Sequence, residues 1–211
     1  MGGNRKKRRT YPDVPERLAS TIVDNHTHLP VRGDRDYAAL SFDVASGVEE
    51  GADEDRQGSI PWHVARMEAA GVRCAITCGC DVPTLQPTVA LAERWPSLSA
   101  AIGIHPNEAP LHRGITEESP DGMAHGLDPW HRDLSLEDAV AEVAALAVSP
   151  DVVAIGETGL DFYRTAAAGR EAQEEAFRMH IELAKDLDLP MQIHDREAHA
   201  ECMRILRECG A

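Results

Sequence analysis

Imidazole and carboxylate side chains recur in this sequence at the ends of short apolar runs, where a parallel-sheet protein builds its sites. The run Ser20-Thr21-Ile22-Val23-Asp24-Asn25-His26-Thr27-His28 is β-branched at its start and polar at its end, which reads as a strand carrying chemistry at its C-terminal end. Residues i and i+2 of a strand project to one face, so His26 and His28 can address one ion, with Asp24 on the same face placed to orient an imidazole. Leu98 to Ile104 runs into His105, and Asp151 to Ile155 runs into Gly156-Glu157-Thr158-Gly159, where the glycines permit close backbone approach. Met191-Gln192-Ile193 ends in His194, followed by Arg196, the side chain suited to bidentate phosphate contact. A lone His-x-His is a weak signal, and Glu157 alone reads as loop surface. Four strand ends feeding His or Glu to one edge are hard to explain as scattered core residues, because that edge is where α/β folds place their sites. Imidazoles plus a carboxylate suit Zn²⁺, Mn²⁺ or Ni²⁺ better than Ca²⁺, and such an ion acidifies a bound water and polarises a phosphoryl or acyl oxygen. The residue chemistry points to metal-assisted hydrolysis and leaves the substrate open.

The elements that must position these residues follow from periodicity and capping. Pro61 to Ala70 suits a helix with Val64 and Met67 on one side and Gly71 as C-cap. Val72 to Cys78 reads as a buried strand, and Thr84 to Trp95 as a helix stopped by Pro96. A Gly-, Pro- and His-rich loop spans about Asn107 to Asp133. Ser135 then caps a helix with Asp138 at its third position and an apolar stripe of Val140, Val143, Ala144 and Ala147. Glu171 to Leu187 is the clearest helix, with Phe177, Ile181 and Ala184 at i, i+4 and i+7 and a Glu174–Arg178 pair. Pro190 to His194 is a last strand, and Glu197 to Cys209 a last helix with Gly210 as C-cap. This alternation predicts an α/β fold with a parallel sheet and helical crossovers: an open doubly wound sheet, or about five βα units of a (β/α)8 TIM-type barrel.

The chain has 211 residues, of which 43% are hydrophobic and 27% charged, an ordinary globular composition. No apolar run approaches the roughly 20 residues of a membrane span. The basic run Arg5 to Arg9 lacks the apolar segment of a secretory signal. The expected location is therefore cytoplasmic, and residues 1–20 read as a basic disordered tail. A net charge of −15 argues against nucleic-acid affinity through bulk charge but leaves room for one metal-bearing cleft. Cys74, Cys78 and Cys80 match zinc spacings poorly, so the five cysteines are expected as reduced, buried or half-buried thiols. The acidic stretch from Asp34 to Gln57 reads as a solvated excursion.

Four strings in register, Val23 to Leu29, Ala101 to Pro106, Ile155 to Phe162 and Ile193 to Ala198, resemble the TatD family of metal-dependent DNases. The resemblance runs from about Thr21 to the end of the sequence. It implies a TIM-barrel fold of the amidohydrolase-like sort and two divalent ions, Mg²⁺, Mn²⁺ or Zn²⁺. His26 and His28 would hold one ion, Glu157 would bridge both, and His194 would bind the second. Arg196 would contact a substrate phosphate and His105 would line the pocket. The implied activity is hydrolysis of DNA phosphodiester bonds, exonucleolytic in many members, with DNA as partner; no membrane role and no obligate protein partner are evident.

Departures from the family pattern accompany the match. The family's further metal-binding His and its water-activating Asp come from later strands than the fifth, and His180 stands where the family more often has Gln. The segments 43–55 and 111–133 look like insertions. Residues 21–211 are thus expected to form the N-terminal part of a TatD-like barrel with its last strands missing, unstable or self-pairing in isolation and of little nuclease activity, because a partial barrel exposes two strand edges. Two rivals remain: a related metal hydrolase acting on an amide or ester, and an inactive metal-binding fragment.

Overall fold

Residues 12–31, 42–43, 48–49 and 59–211 are described by the structure, a computed structural model. The basic run Arg5 to Arg9, and all but four residues of the acidic stretch, lie outside the described residues.

Strands and helices alternate along the chain. The strands are β1 (Ile22–Thr27), the short antiparallel pair β2 (Phe42–Asp43) and β3 (Val48–Glu49), β4 (Val72–Gly79), β5 (Leu98–Ile102), β6 (Val152–Asp161) and β7 (Met191–Arg196). Between them lie helices α1 (Ile60–Ala70), α2 (Val82–Arg94), the short α3 (Pro129–Asp133), α4 (Leu136–Leu146), α5 (Arg170–Leu187) and α6 (His199–Cys209). The parallel sheet has the order β1-β4-β5-β6-β7, a curled half-barrel with helices on its outer face, as the alternation predicted.

Caps fix the helix starts. Ser59 accepts from the Trp62 amide to begin α1, and Gly71, at φ 92°, ends it. Helix α2 begins two residues before the predicted Thr84, because Asp81 and Thr84 form a reciprocal box. Helix α4 begins as predicted, with the Ser135 hydroxyl accepting from the Asp138 amide at 3.1 Å. The expected loop after Asn107 contains a tight turn at Leu111–Arg113 and α3. Strand β5 stops at Ile102, before the predicted Ile104, while β6 and β7 run past their predicted ends to Asp161 and Arg196. Glu157 therefore lies within a strand, not after one.

On the outer face of the sheet, Ile102 and Ile155 pack with Leu85 and Val89 of α2 and Val143 of α4, and Leu160 of β6 packs with Phe177 and Ile181 of α5 and Ile205 of α6. At the two sheet edges, Val23 and Ile193 stay exposed.

His180 belongs to this outer core. Its Nδ1–H donates to the Ala176 carbonyl at 2.7 Å, and its Nε2 accepts from the Ile104 amide at 3.0 Å. The ring thereby pins the backbone just ahead of His105. Burial pushes its pKa from 6.5 down to about 4, so the unfolded chain takes up a proton there before the folded chain does. Its stabilising contribution is complete above 6.5 and is lost as pH falls toward 4. His180→Gln keeps one donor and one acceptor without titrating. It is expected to flatten the acid side of the stability curve by up to about 1.4 kcal/mol per pH unit, read by urea unfolding at neutral and mildly acidic pH. Equal slopes in the two proteins would show that the ring titrates freely in the folded state.

Candidate metal centre

The C-terminal ends of β1, β6 and β7, with the turn after β5, converge on the concave side of the sheet. Glu157 sits at the middle, its side chain only 13% exposed. Its Oε2 lies 3.6 Å from His26 Nε2 and 3.5 Å from His28 Nε2, and its Oε1 lies 2.9 Å from His194 Nδ1. His105 approaches from the β5 turn, with Nε2 3.3 Å from His194 Nδ1. Ligand atoms of His26, His28 and Glu157, and separately of His105, Glu157 and His194, all fall within 4.8 Å of one another. Residues up to 168 positions apart in the chain thus share one pocket.

A departure from regular strand geometry aims Glu157 inward. Ala154 faces the concave side with Cys78 and Ala101, while Ile155 faces the helices. Strict alternation would send Glu157 outward with Ile155. The β6–β7 pairing shifts between Ile155 and Thr158, and this irregularity exchanges the faces. Gly159, at φ 137°, completes the arrangement: a Cβ there would run into the His194 carbonyl.

Each imidazole around Glu157 is held from its far side. His194 Nε2–H donates to Asp161 Oδ2 at 3.0 Å, leaving Nδ1 for Glu157. His26 Nδ1 faces Gln192 Oε1 at 2.8 Å. His28 is bonded to the Cys78 backbone. This is the outer support that metal-binding histidines characteristically have. His105 differs. Its Nδ1 accepts from the Asn107 amide at 3.1 Å, so the neutral ring carries its proton on Nε2 and presents a donor, not a lone pair. Burial and the neighbouring His194 push its pKa down to about 4, which keeps it neutral.

The charges of the cluster are interlocked. Burial alone would raise the Glu157 pKa, but hydrogen bonds from His194 and His28 outweigh it and hold the carboxyl well below its usual range. The hydrogen bond to Glu157 raises His28, and burial opposes it only in part. Burial presses on His194 too, yet Glu157 and Asp161 leave its pKa raised. Burial pushes the Cys78 thiol up to about 12, and all five cysteines are free, as the spacing suggested.

The donor set suits a borderline divalent ion. Two atoms 3.5 Å apart have the separation of ligands that share one ion at about 2.1 Å in near-tetrahedral geometry. Beside the cluster opens a cleft of about 250 Å³ lined by His28, Leu29, Val31, Asp81, His105 and Glu108.

Other sequence-predicted residues sit differently. Asp24 does not orient an imidazole: its Oδ1 accepts from the His26 amide at 3.2 Å, fixing backbone instead of ring. Arg196 ends β7 with its guanidinium 4.0 Å above the Tyr163 ring. Sequence reading missed Asp161 and Gln192 as partners of the cluster. Both carried a signal, since Asp161 is an even number of residues from Glu157, Gln192 is two from His194, and such spacing shares a strand face.

Fold and site together define a class, a parallel α/β half-barrel with a candidate metal centre at its C-terminal rim. A family model described as TatD related DNase matches residues 23–211, and the chain belongs to that family. The 3'-5' ssDNA/RNA exonuclease TatD of Salmonella typhimurium is 34% identical over 143 residues, 68% of this chain and 46% of that protein. An uncharacterized metal-dependent hydrolase TatD of Mycobacterium tuberculosis is 31% identical over 194 residues, 90% of this chain and 57% of that one. A hydrolase TatD family protein from Entamoeba histolytica shares the fold, with TM-score 0.61 at 19% identity over 92% of this chain and 56% of its own. The chain spans about half the length of the curated relatives it matches.

Proposed function

We propose that this chain contributes the metal centre of a hydrolase that cleaves phosphodiester bonds of DNA, as the names of its curated relatives suggest. One observation carries the reading: both oxygens of a single half-buried carboxylate face imidazoles drawn from separate strands. His26, His28 and Glu157 would hold a first divalent ion, and Glu157 with His194 a second, from among Mg²⁺, Mn²⁺ and Zn²⁺. Bound there, such ions supply Lewis acidity toward a phosphoryl oxygen. The protein's own part is positional. Asp161 orients His194, the Nε2–H of His105 is a donor for a phosphate oxygen, and Arg196 at the same rim is a bidentate partner for a flanking phosphate. The neighbouring cleft gives room to a nucleotide. The free thiols support a reducing compartment, the cytoplasm, and no helix among the described residues is long and apolar enough to cross a membrane.

Titrating the metal-stripped protein with Mn²⁺ or Zn²⁺ by calorimetry tests the reading, alongside turnover of labelled single-stranded DNA and of simple esters. The first ion, with three protein ligands, is expected to bind more tightly than the second, which has two. Both should release protons, because the raised His28 and His194 must give theirs up. Hydrolysis is expected for DNA in preference to the esters. Turnover of esters with DNA untouched would favour the amidohydrolase rival, and failure to bind any ion would remove the metal centre.

A further inference from the structure

Gln192 stands in β7 two residues before His194 and reaches across the concave face to the opposite edge of the sheet. Its Nε2–H donates to the Asn25 carbonyl on β1 at 2.5 Å. Its Oε1 accepts from His26 Nδ1 at 2.8 Å and from the Cys78 thiol at 3.0 Å. Chemistry fixes which end of the amide is which. A backbone carbonyl only accepts, so the amide nitrogen must face Asn25; the reverse orientation would set oxygen against oxygen. The amide oxygen that then faces His26 also only accepts, so the proton of the neutral ring must reside on Nδ1. The Nε2 lone pair is left pointing toward Glu157 Oε2, 3.6 Å away.

Two acceptors facing each other at that distance repel unless a cation lies between them. Free imidazole side chains favour the other tautomer, with the proton on Nε2, so the preference has to be reversed by the surroundings. Asp24 does not do this, because it holds only the His26 amide. Gly156 lets Gln192 sit close against β6: a Cβ there would run into the Gln192 carbonyl.

We propose that Gln192 is a positioning residue of the metal centre, which fixes the proton of His26 on Nδ1 and so presents the Nε2 lone pair to a divalent cation. The proposal rests on the metal-centre reading above and adds to it the residue that prepares one ligand before the ion arrives.

The test compares Gln192→Leu and Gln192→Glu with the wild-type protein. Glutamate can still accept from His26 Nδ1 but cannot donate to Asn25; leucine does neither. Isotope-edited NMR of the imidazole nitrogens in metal-free protein reads the tautomer, and calorimetry with Zn²⁺ alone reads the first site. In Gln192→Leu the His26 proton is expected to redistribute toward Nε2, with zinc affinity reduced about 10- to 100-fold. Gln192→Glu is expected to keep the Nδ1–H tautomer and most of the affinity. An unchanged tautomer in Gln192→Leu, or zinc affinity within a factor of about three of wild type, would overturn the proposal. So would an equal loss in both variants, which would assign the effect to the Asn25 tie. If the wild-type protein binds no zinc, the metal-centre reading fails and the cation with it, while the NMR measurement still reports separately whether Gln192 sets the ring.

Discussion

Glu157→Gln is expected to weaken both ion sites together and, in a protein with the complete barrel, to reduce metal-dependent hydrolysis by at least about 100-fold. The size follows from the position of the carboxylate. One oxygen faces His26 and His28, the other faces His194, so a single substitution removes a ligand and a negative charge from each site. The amide keeps the volume, which separates loss of charge from loss of packing. It should also return His28 and His194 toward ordinary histidine behaviour, because the same carboxylate raises both. Calorimetry then gives a second readout that does not depend on turnover: the two binding steps should weaken in parallel and release fewer protons. A rate within a factor of about three of wild type, or loss of one binding step with the other intact, would remove Glu157 from its shared role.

The second large effect is on stability. Gly159→Ala is expected to cost about 3 kcal/mol or more, since Gly159 sits at φ 137° where side chains are strained and a Cβ would overlap the His194 backbone. For a domain of this size that corresponds to a fall in Tm of roughly 6–12 °C. Gly114→Ala is the control. Gly114 also has positive φ, at 73°, but nothing lies within 4 Å of its Cβ direction, so its cost should stay near about 1 kcal/mol. The contrast isolates the close approach of β6 to β7, which places His194 beside Glu157. A Gly159→Ala protein as stable as the Gly114→Ala protein would mean that the two strands have room to part.

Much of this was legible in the sequence. The caps at Ser135 and Gly210, the buried stripe of Phe177, Ile181 and Ala184, and the five-fold alternation of strands and helices are local patterns, and local patterns act through neighbours a few residues away. The candidate ligands were visible as well, because strand ends are short and polar residues there stand out against β-branched runs. The misreadings were of another kind. Asp24 shared a face with the histidines but serves the backbone, and Glu157 was expected just after a strand ending at Ile155, although β6 continues through it to Asp161.

The sequence by itself determined the class of fold, the helices and strands, and which imidazoles and carboxylate were available at one rim. Tertiary structure alone decided how they are used. A pairing shift in β6 turned Glu157 inward against simple alternation. Asp161 took one nitrogen of His194 from the neighbouring strand, and Gln192 set the proton of His26 from the far edge of the sheet. Periodicity records which face a residue occupies, whereas the protonated nitrogen of a ring is chosen by the atom it meets, and for His26 that atom comes from a strand more than a hundred residues away.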